Sequence, residues 1–284
     1  MNRDYSVRSF FIRSFCCAVF ILQAFVFLSG CGRKEDASLY VYAFSAGAAD
    51  SFLITTGRSA VMIDCGEKND GEDIADHLLR AGITHLDYLI ISHFDKDHIG
   101  GAKKILANVS VDHILEPDYV KDSDTFERYQ KAVEEEKSDT EKITEPFSFE
   151  LDGIRYHVDP ADGGYEDDES NNSSLIVSVT NKDDTMLFMG DAEKERIAEY
   201  LERDDSTYDL LKVPHHGRLD DNTGELVNSV KPQIAVITSS EDEPEDGEVV
   251  RILEDAGAQV YLTIDGPVLI ESTGSGINAR TVVE

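Results

Sequence analysis

The segment Ser92-His93-Phe94-Asp95-Lys96-Asp97-His98-Ile99-Gly100-Gly101 sets four ligand-type side chains within six residues, directly after the apolar run Leu86-Asp87-Tyr88-Leu89-Ile90-Ile91. That run reads as a buried strand. In α/β proteins, sites collect beyond the carboxyl ends of strands, so the segment specifies both a local element and a place for chemistry. An extended chain throws positions 93, 95 and 97 to one side and His98 elsewhere. One short loop is thus able to serve two neighbouring cations. Gly100 and Gly101 let the following helix approach without side-chain obstruction.

Around this segment, β-like and helix-like stretches alternate from Ser38 onward. SLYVYAF, SFLITTG and SAVMIDCG are three short β-rich runs separated by turns, which suggests a meander. EDIADHLLRAG has helical spacing with a glycine stop, and GGAKKILAN reads as a helix opened by two glycines. DHILEPDY is read as a strand and DTFERYQKAVEEEKSD as a charged helix. FSFELDGIRYHV is read as a hairpin around Asp152-Gly153. SSLIVSVT and TMLFMGDA are apolar strands, AEKERIAEYLERD a helix, YDLLKVPHHG a strand into a loop and GELVNSVKP a short helix. QIAVITSS, EVVRILEDAG and AQVYLTI form a strand–helix–strand unit before a terminal hairpin. Many strands with interspersed helices favour an α/β fold of two sheets with helices outside over a simple doubly wound sheet. The acidic stretches at 134–142, 163–169 and 241–247 are expected to be solvated loops or helix faces.

Two further fragments fit the same site. Gly190-Asp191 closes the strand TMLFM with a carboxylate, and Lys212-Val213-Pro214-His215-His216-Gly217 closes another with adjacent imidazoles. Imidazole with carboxylate suits Zn²⁺, Mn²⁺ or Fe²⁺, and a carboxylate-rich set shifts the choice toward Mn²⁺. His77, His85, His113 and His157 stand alone and are expected at the surface or in caps.

The ordered set of Ile63-Asp64-x-Gly66, SH-x-D-x-DH-x-GG, Gly190-Asp191 and HHG resembles the metallo-β-lactamase superfamily. Within it, the motifs are most similar to the hydrolase domain of the ComEC DNA-uptake proteins and its soluble relatives. That branch carries Asp where most of the superfamily has the second His of H-x-H-x-D-H, as Asp95 does here. Gly47 with Asp50 resembles the family's G-Q-G-D turn, and Asn171-Asn172-Ser173-Ser174-Leu175 before a strand, LFMGDAEKE and LLKVPHHG also match. The similarity covers residues 38–273. Two departures stand out: Gly-Gln-Gly has become Gly47-Ala48-Ala49, and Ser239-Ser240 leads into EDEPEDGE where the branch carries a histidine.

The resemblance implies a four-layer αββα sandwich, with two mixed β-sheets and helices on the outer faces. It implies two divalent ions, Zn²⁺ or Mn²⁺. His93 and Asp95 would ligate the first; Asp97, His98 and His215 would hold the second, with Asp191 bridging. Asp97, His98 and Asp191 are the expected catalytic residues. Asp64 would fix the histidine-bearing loop by hydrogen bonding. Asn171 or Asn172 falls where other members place a third imidazole, which leaves the first ion weakly held. His216 is either a ligand or a substrate contact. Lys212, like Lys96 and Arg218, is either a phosphate contact or a solvated charge. Cys65 is expected to be a small buried packing residue.

Composition bears on partners. Lys+Arg 26 against Asp+Glu 57 gives a net charge of −31 over 284 residues. Without the first 30 residues the balance is 23 against 56, or −33. Such a surface repels polyanions, so no extended nucleic-acid groove is expected, and a positive centre for phosphate must be local. A monomer is expected.

The N-terminus reads as an address. Arg3, Arg8 and Arg13 precede an uncharged stretch from Ser14 to Gly32, the pattern of a secretory signal. It ends in Leu28-Ser29-Gly30-Cys31, which resembles a bacterial lipobox. Residues 1–30 are then a lipoprotein signal peptide, 31–37 the lipidated Cys31 with a polar tether, and 38–284 the hydrolase-like domain. The alternative is an uncleaved anchor, since the 19 uncharged residues nearly suffice to span a bilayer. In the lipoprotein reading, Cys31 holds the protein on the outer face of the bacterial cell membrane. The function expected is metal-dependent hydrolysis of a small phosphoester or nucleotide-like substrate, phosphodiesterase- or nuclease-like, by a hydroxide held on two ions. The alternatives are hydrolysis of another small ester, of phosphorylcholine or lactone type, and a noncatalytic metal- or partner-binding surface lipoprotein.

Overall fold

The computed structural model describes residues 38–165 and 169–283. The expectations for residues 1–37, Cys31 among them, and for the acidic residues 166–168 lie outside the described residues. The described residues group as one compact unit.

The chain forms two sheets. The first runs in the order β15-β14-β1-β2-β3-β4-β5-β6, with β1 Leu39–Ala43, β2 Phe52–Thr55, β3 Ala60–Ile63, β4 His85–Ile90, β5 Ser110–Pro117, β6 Asp139–Ile143, β14 Val268–Ser272 and β15 Ile277–Thr281. The second runs β13-β12-β11-β10-β9-β8-β7, with β7 Phe147–Leu151, β8 Ile154–Asp159, β9 Ile176–Asn181, β10 Asp184–Phe188, β11 Leu210–Lys212, β12 Ile234–Ile237 and β13 Gln259–Leu262. Both sheets follow one plan: antiparallel hairpins on one side (β1–β3 and β7–β10), then parallel strands (β3–β6 and β10–β13). Parallel strands send their carboxyl ends to one edge of each sheet, and the ligand-bearing loops all leave from those ends.

The helices are α1 Gly71–Arg80, α2 Lys96–Ile99, α3 Ala102–Leu106, α4 Asp124–Glu136, α5 Glu169–Asn172, α6 Lys194–Arg203, α7 Thr223–Val230 and α8 Gly247–Asp255. Helix α1 follows from its spacing: Ile74, Ala75 and Leu78 form the buried stripe, with Glu72 and Asp73 in the first turn and Arg80 in the last. Helix α4 begins at Ser123, whose side chain accepts from the Phe126 amide and contributes about 1 kcal/mol as a cap.

Three apolar layers result. Leu78, Leu89, Ile105 and Phe126 pack α1, α3 and α4 on the outside of the first sheet. Val41, Ile54, Ile63, Val177, Phe188 and Val236 fill the space between the sheets. Leu187, Ile197, Leu226 and Leu253 pack α6, α7 and α8 on the outside of the second. Each such side chain contributes roughly 1.5–3 kcal/mol on burial. The architecture is the four-layer αββα sandwich.

Two local expectations change. Residues 139–142, the end of the acidic stretch read as loop or helix face, form edge strand β6 together with Ile143, the four exposed and Ile143 buried. An edge strand tolerates charge on its open side, and this blunts further pairing. The chain stays extended only to Asp95, because a helical turn begins at Lys96 and carries Asp97 and His98 to the same place.

Candidate metal centre

Backbone contacts between three segments, at Asp50, at Cys65 and Gly66, and from Asp97 to Gly101, build the site floor. The Cys65 amide donates to His98 O at 2.7 Å, Asp50 N to Asp97 O at 3.1 Å, Gly66 N to Asp50 O at 2.8 Å and Gly101 N to Gly66 O at 3.1 Å. A β-carbon on Gly101 would lie 2.1 Å from Cys65 O, so only glycine allows this approach. Gly190 turns β10 toward the site with a φ of +54°, where Ser174 and Ser92 leave no room for a side chain.

Asp97, His98, Asp191 and His216 each turn one ligand atom into a common space, all within 4.8 Å of one another. Asp191 Oδ2 lies 3.2 Å from His98 Nε2 and 3.1 Å from His216 Nε2, and Asp97 Oδ2 lies 3.2 Å from His216 Nε2. Loops of the first sheet supply Asp97 and His98; loops of the second supply Asp191 and His216.

Hydrogen bonds fix which ring nitrogen faces inward. Asp64 accepts from Ser92 N at 2.8 Å and Ser92 Oγ at 2.6 Å, and its Oδ2 takes the His98 Nδ1 proton at 2.8 Å. Ser92 Oγ, having donated to Asp64, accepts from His93 Nδ1 at 3.1 Å. Thr238 Oγ1 donates to Asp50 Oδ1 at 2.7 Å and therefore accepts from His216 Nδ1 at 2.9 Å. All three imidazoles are thereby held with Nε2 toward the site, the arrangement that metal-ligating histidines use. His93 Nε2 and His98 Nε2 are buried without a hydrogen-bond partner among the described residues. Two imidazoles and two carboxylates converge there, and His98 Nε2 has no hydrogen-bond partner among the described residues, a donor set that fits a divalent cation.

The electrostatics agree. Burial pulls the His98 pKa down, but the Asp191 and Asp64 carboxylates more than reverse this and hold it well above the ordinary value. His216 behaves likewise: burial opposes its charge, yet Asp191 and Asp97 push it up to about 9. Burial raises Asp191, and His216, His98 and Lys212 then draw it well below the carboxylate range. The metal-free cluster is thus an electronegative pocket that favours protonated imidazoles, and a bound cation would balance the same carboxylates.

The sequence-predicted residues separate. Asp97, His98 and Asp191 meet as expected, and Asp64 orients His98. The expectation for His215 changes, because His216 and not His215 turns into the cluster. Both residues adopt left-handed backbone in the turn Pro214–Gly217, φ +47° and +53°, so their rings diverge. His215 faces outward with Nδ1 3.0 Å from Glu193 Oε1, and a groove of about 230 Å³ opens beside it. Lys212 is no phosphate contact. It is 1% exposed, donates to Gly190 O at 2.7 Å and pairs with Asp50 and Asp191. Lys96 and Arg218 pair with Glu67 and Glu243 at 3.0 Å each.

His93 and Asp95 lie beside the quartet, with Nε2 and Oδ1 3.8 Å apart. Asn171 and Asn172 support helix α6. The Asn172 Oδ1 accepts from Glu193 N at 3.2 Å and Arg196 N at 3.1 Å, and Asn171 Nδ2 donates to Glu193 at 3.0 Å. Asp50, Asp64 and His98 also converge, but Thr238, Lys212 and Ser92 already engage those carboxylates. His77, His85, His113 and His157 stand outside the cluster. Cys65 is fully buried and its thiol pKa is pushed well up by burial, as befits packing.

Sequence reasoning missed Asp50 and Thr238 as the support of His216, and Ser92 as the link between Asp64 and His93. Thr238 carried a usable signal, since it follows the carboxyl end of apolar strand β12.

The family profile described as "Metallo-beta-lactamase superfamily" matches residues 45–239. ComE operon protein 3 of Bacillus subtilis is 28% identical over 252 residues, covering 80% of this chain and 31% of that protein. Competence protein ComA of Neisseria gonorrhoeae is 25% identical over 232 residues, covering 78% of this chain and 30% of that protein. Both are ComEC-type competence proteins, and the chain spans about a third of their length. Among solved structures, the metallo-beta-lactamase fold protein YhfI of Bacillus subtilis superposes with a TM-score of 0.54 at 13% identity, covering 80% of this chain and 96% of that one.

Proposed function

This chain belongs to the metallo-beta-lactamase superfamily, and from that premise we propose that it is a metal-dependent phosphodiesterase acting on small substrates outside the cell. The observation that carries the reading is the quartet Asp97, His98, Asp191 and His216, whose inward nitrogens have their other ring positions fixed. A bound Zn²⁺ or Mn²⁺ would supply Lewis acidity and acidify water, so no serine or cysteine nucleophile is required.

The remaining residues orient and insulate. Asp64 and Thr238 hold the tautomers of His98 and His216. Lys212 neutralises Asp50 and one oxygen of Asp191 and leaves Asp191 Oδ2 toward the site. Phosphodiesters are favoured over β-lactams because the relatives are competence proteins. The location rests on the arginine-flanked apolar run ending in Leu-Ser-Gly-Cys31, with lipid on Cys31 as the anchor.

The test is turnover of bis-p-nitrophenyl phosphate by the full chain with Mn²⁺ or Zn²⁺, beside phosphorylcholine and lactone substrates. Asp97→Ala and His216→Ala should each lower kcat/KM by about 10²-fold or more and lose bound metal, whereas His215→Ala should retain it. Activity that survives both losses, or metal lost only in His215→Ala, would refute the assignment. Turnover of the other esters alone would move the substrate class. Cys31→Ser should release the protein from the membrane fraction.

A further inference from the structure

We propose that Lys121 is a built-in cation at the His93–Asp95 half of the centre, so that the chain holds one divalent ion, in the quartet, where the two-ion arrangement expects a pair. The proposal rests on the metal-centre reading above.

Lys121 stands in the loop before α4, and its Nζ contacts Asp95 Oδ1. Ser170 Oγ donates to the same oxygen. Lys121 Nζ also donates to Ser170 Oγ at 2.8 Å. Tyr119 completes the lock: its hydroxyl accepts from Phe94 N at 2.8 Å and lies 3.0 Å from Ser170 Oγ. Asp95 Oδ1 is the atom that faces His93 Nε2 across 3.8 Å. An ion joining this pair through Oδ1 must therefore share an oxygen that already receives an ammonium and a hydroxyl.

The rest of the surroundings disfavour a second ion further. His93 and Asp95 belong to no cluster of three or more ligand-type side chains among the described residues. The Asn172 carbonyl oxygen accepts from two backbone amides at the start of α6. Asp191, the shared carboxylate, already pairs one oxygen with Lys212. A second dication would meet two ammonium groups and the ion in the quartet, against Asp95 and part of Asp191. The quartet has no such competitor, because its carboxylate oxygens Asp97 Oδ2 and Asp191 Oδ2 face only imidazoles.

The experiment titrates Mn²⁺ into the chelator-stripped full chain. Native mass spectrometry counts ions, and electron paramagnetic resonance detects exchange-coupled manganese pairs. Wild type and Lys121→Arg should bind one ion. Lys121→Met, which keeps the stem and removes the charge, should bind a second at least about tenfold more tightly than wild type and show the coupled-pair signal. Ser170→Ala should move in the same direction by less. Circular dichroism confirms that each variant is folded. Two ions in wild type with the affinity of Lys121→Met, or one ion in Lys121→Met, would overturn the proposal while leaving the metal centre intact. No ion in any variant would overturn the metal-centre reading, and this proposal with it.

Discussion

His216 shows how far residue identity carries and where it stops. The pair His215-His216 was legible as a ligand source, but which ring turns inward depends on two consecutive left-handed backbone angles that residue identity does not announce. Asp64, whose supporting role the family resemblance implies, does hydrogen-bond both His98 and Ser92. Lys212 is neither the phosphate contact nor the solvated charge that its position in the sequence suggests, since its burial arises only when Asp50 folds against it from a distant segment. Protonation of His216 gives a prediction at this scale. Its pKa rises from 6.5 to about 9 in the metal-free fold, despite burial, through Asp191 and Asp97. A raised folded pKa stabilises the metal-free protein fully below 6.5, and that contribution is lost as pH climbs through about 9. A metal ion must displace this proton, and that of His98 as well, so its apparent affinity should weaken at least about tenfold for each pH unit below about 9. Titration of Mn²⁺ at several pH values checks this, and a flat profile would contradict it.

At the scale of elements, the strands and outer helices followed from apolar spacing, and the parallel strand ends located the chemistry. The loop after β4 was harder. Alternation suggested an extended run through Asp97, yet the turn at Lys96 brings Asp97 and His98 together. What enforces that turn is tertiary: Cys65, Gly66 and Asp50 hydrogen-bond the backbone around it. Edge strand β6 was obscured for a similar reason, since four of its five residues face solvent and only pairing with β5 defines them. Gly101 is the point where two such elements touch. Gly101→Ala should destabilise the fold by about 1–3 kcal/mol through overpacking against Cys65 O, measured by urea unfolding, and should weaken metal binding with it. Gly153→Ala serves as the comparison, where the turn carries positive φ but has open space. Equal effects at both glycines would show that close approach is not what Gly101 provides.

Over the whole molecule, the net charge of −31 restricts partners more than the fold does. Many surface lysines and arginines stand in pairs with acids, as Lys96 with Glu67, Lys104 with Glu72 and Arg218 with Glu243 do, so they offer no continuous track for a phosphate backbone. Duplex DNA should therefore show near-background retention at about 150 mM salt, measured by filter binding, even if a small phosphodiester is cleaved. Tight binding there would require a basic surface that the described residues do not form. The four-layer architecture was legible from ordered motifs because strand ends and their chemistry recur together. The division of the ligands between the sheets carries a last consequence. Asp97 and His98 hang from one face of the sandwich, and Asp191 and His216 from the other. An ion seated among them is a rivet between two slabs: neither slab can grip it alone, and any breathing of the sandwich at that rim loosens the grip from both sides at once.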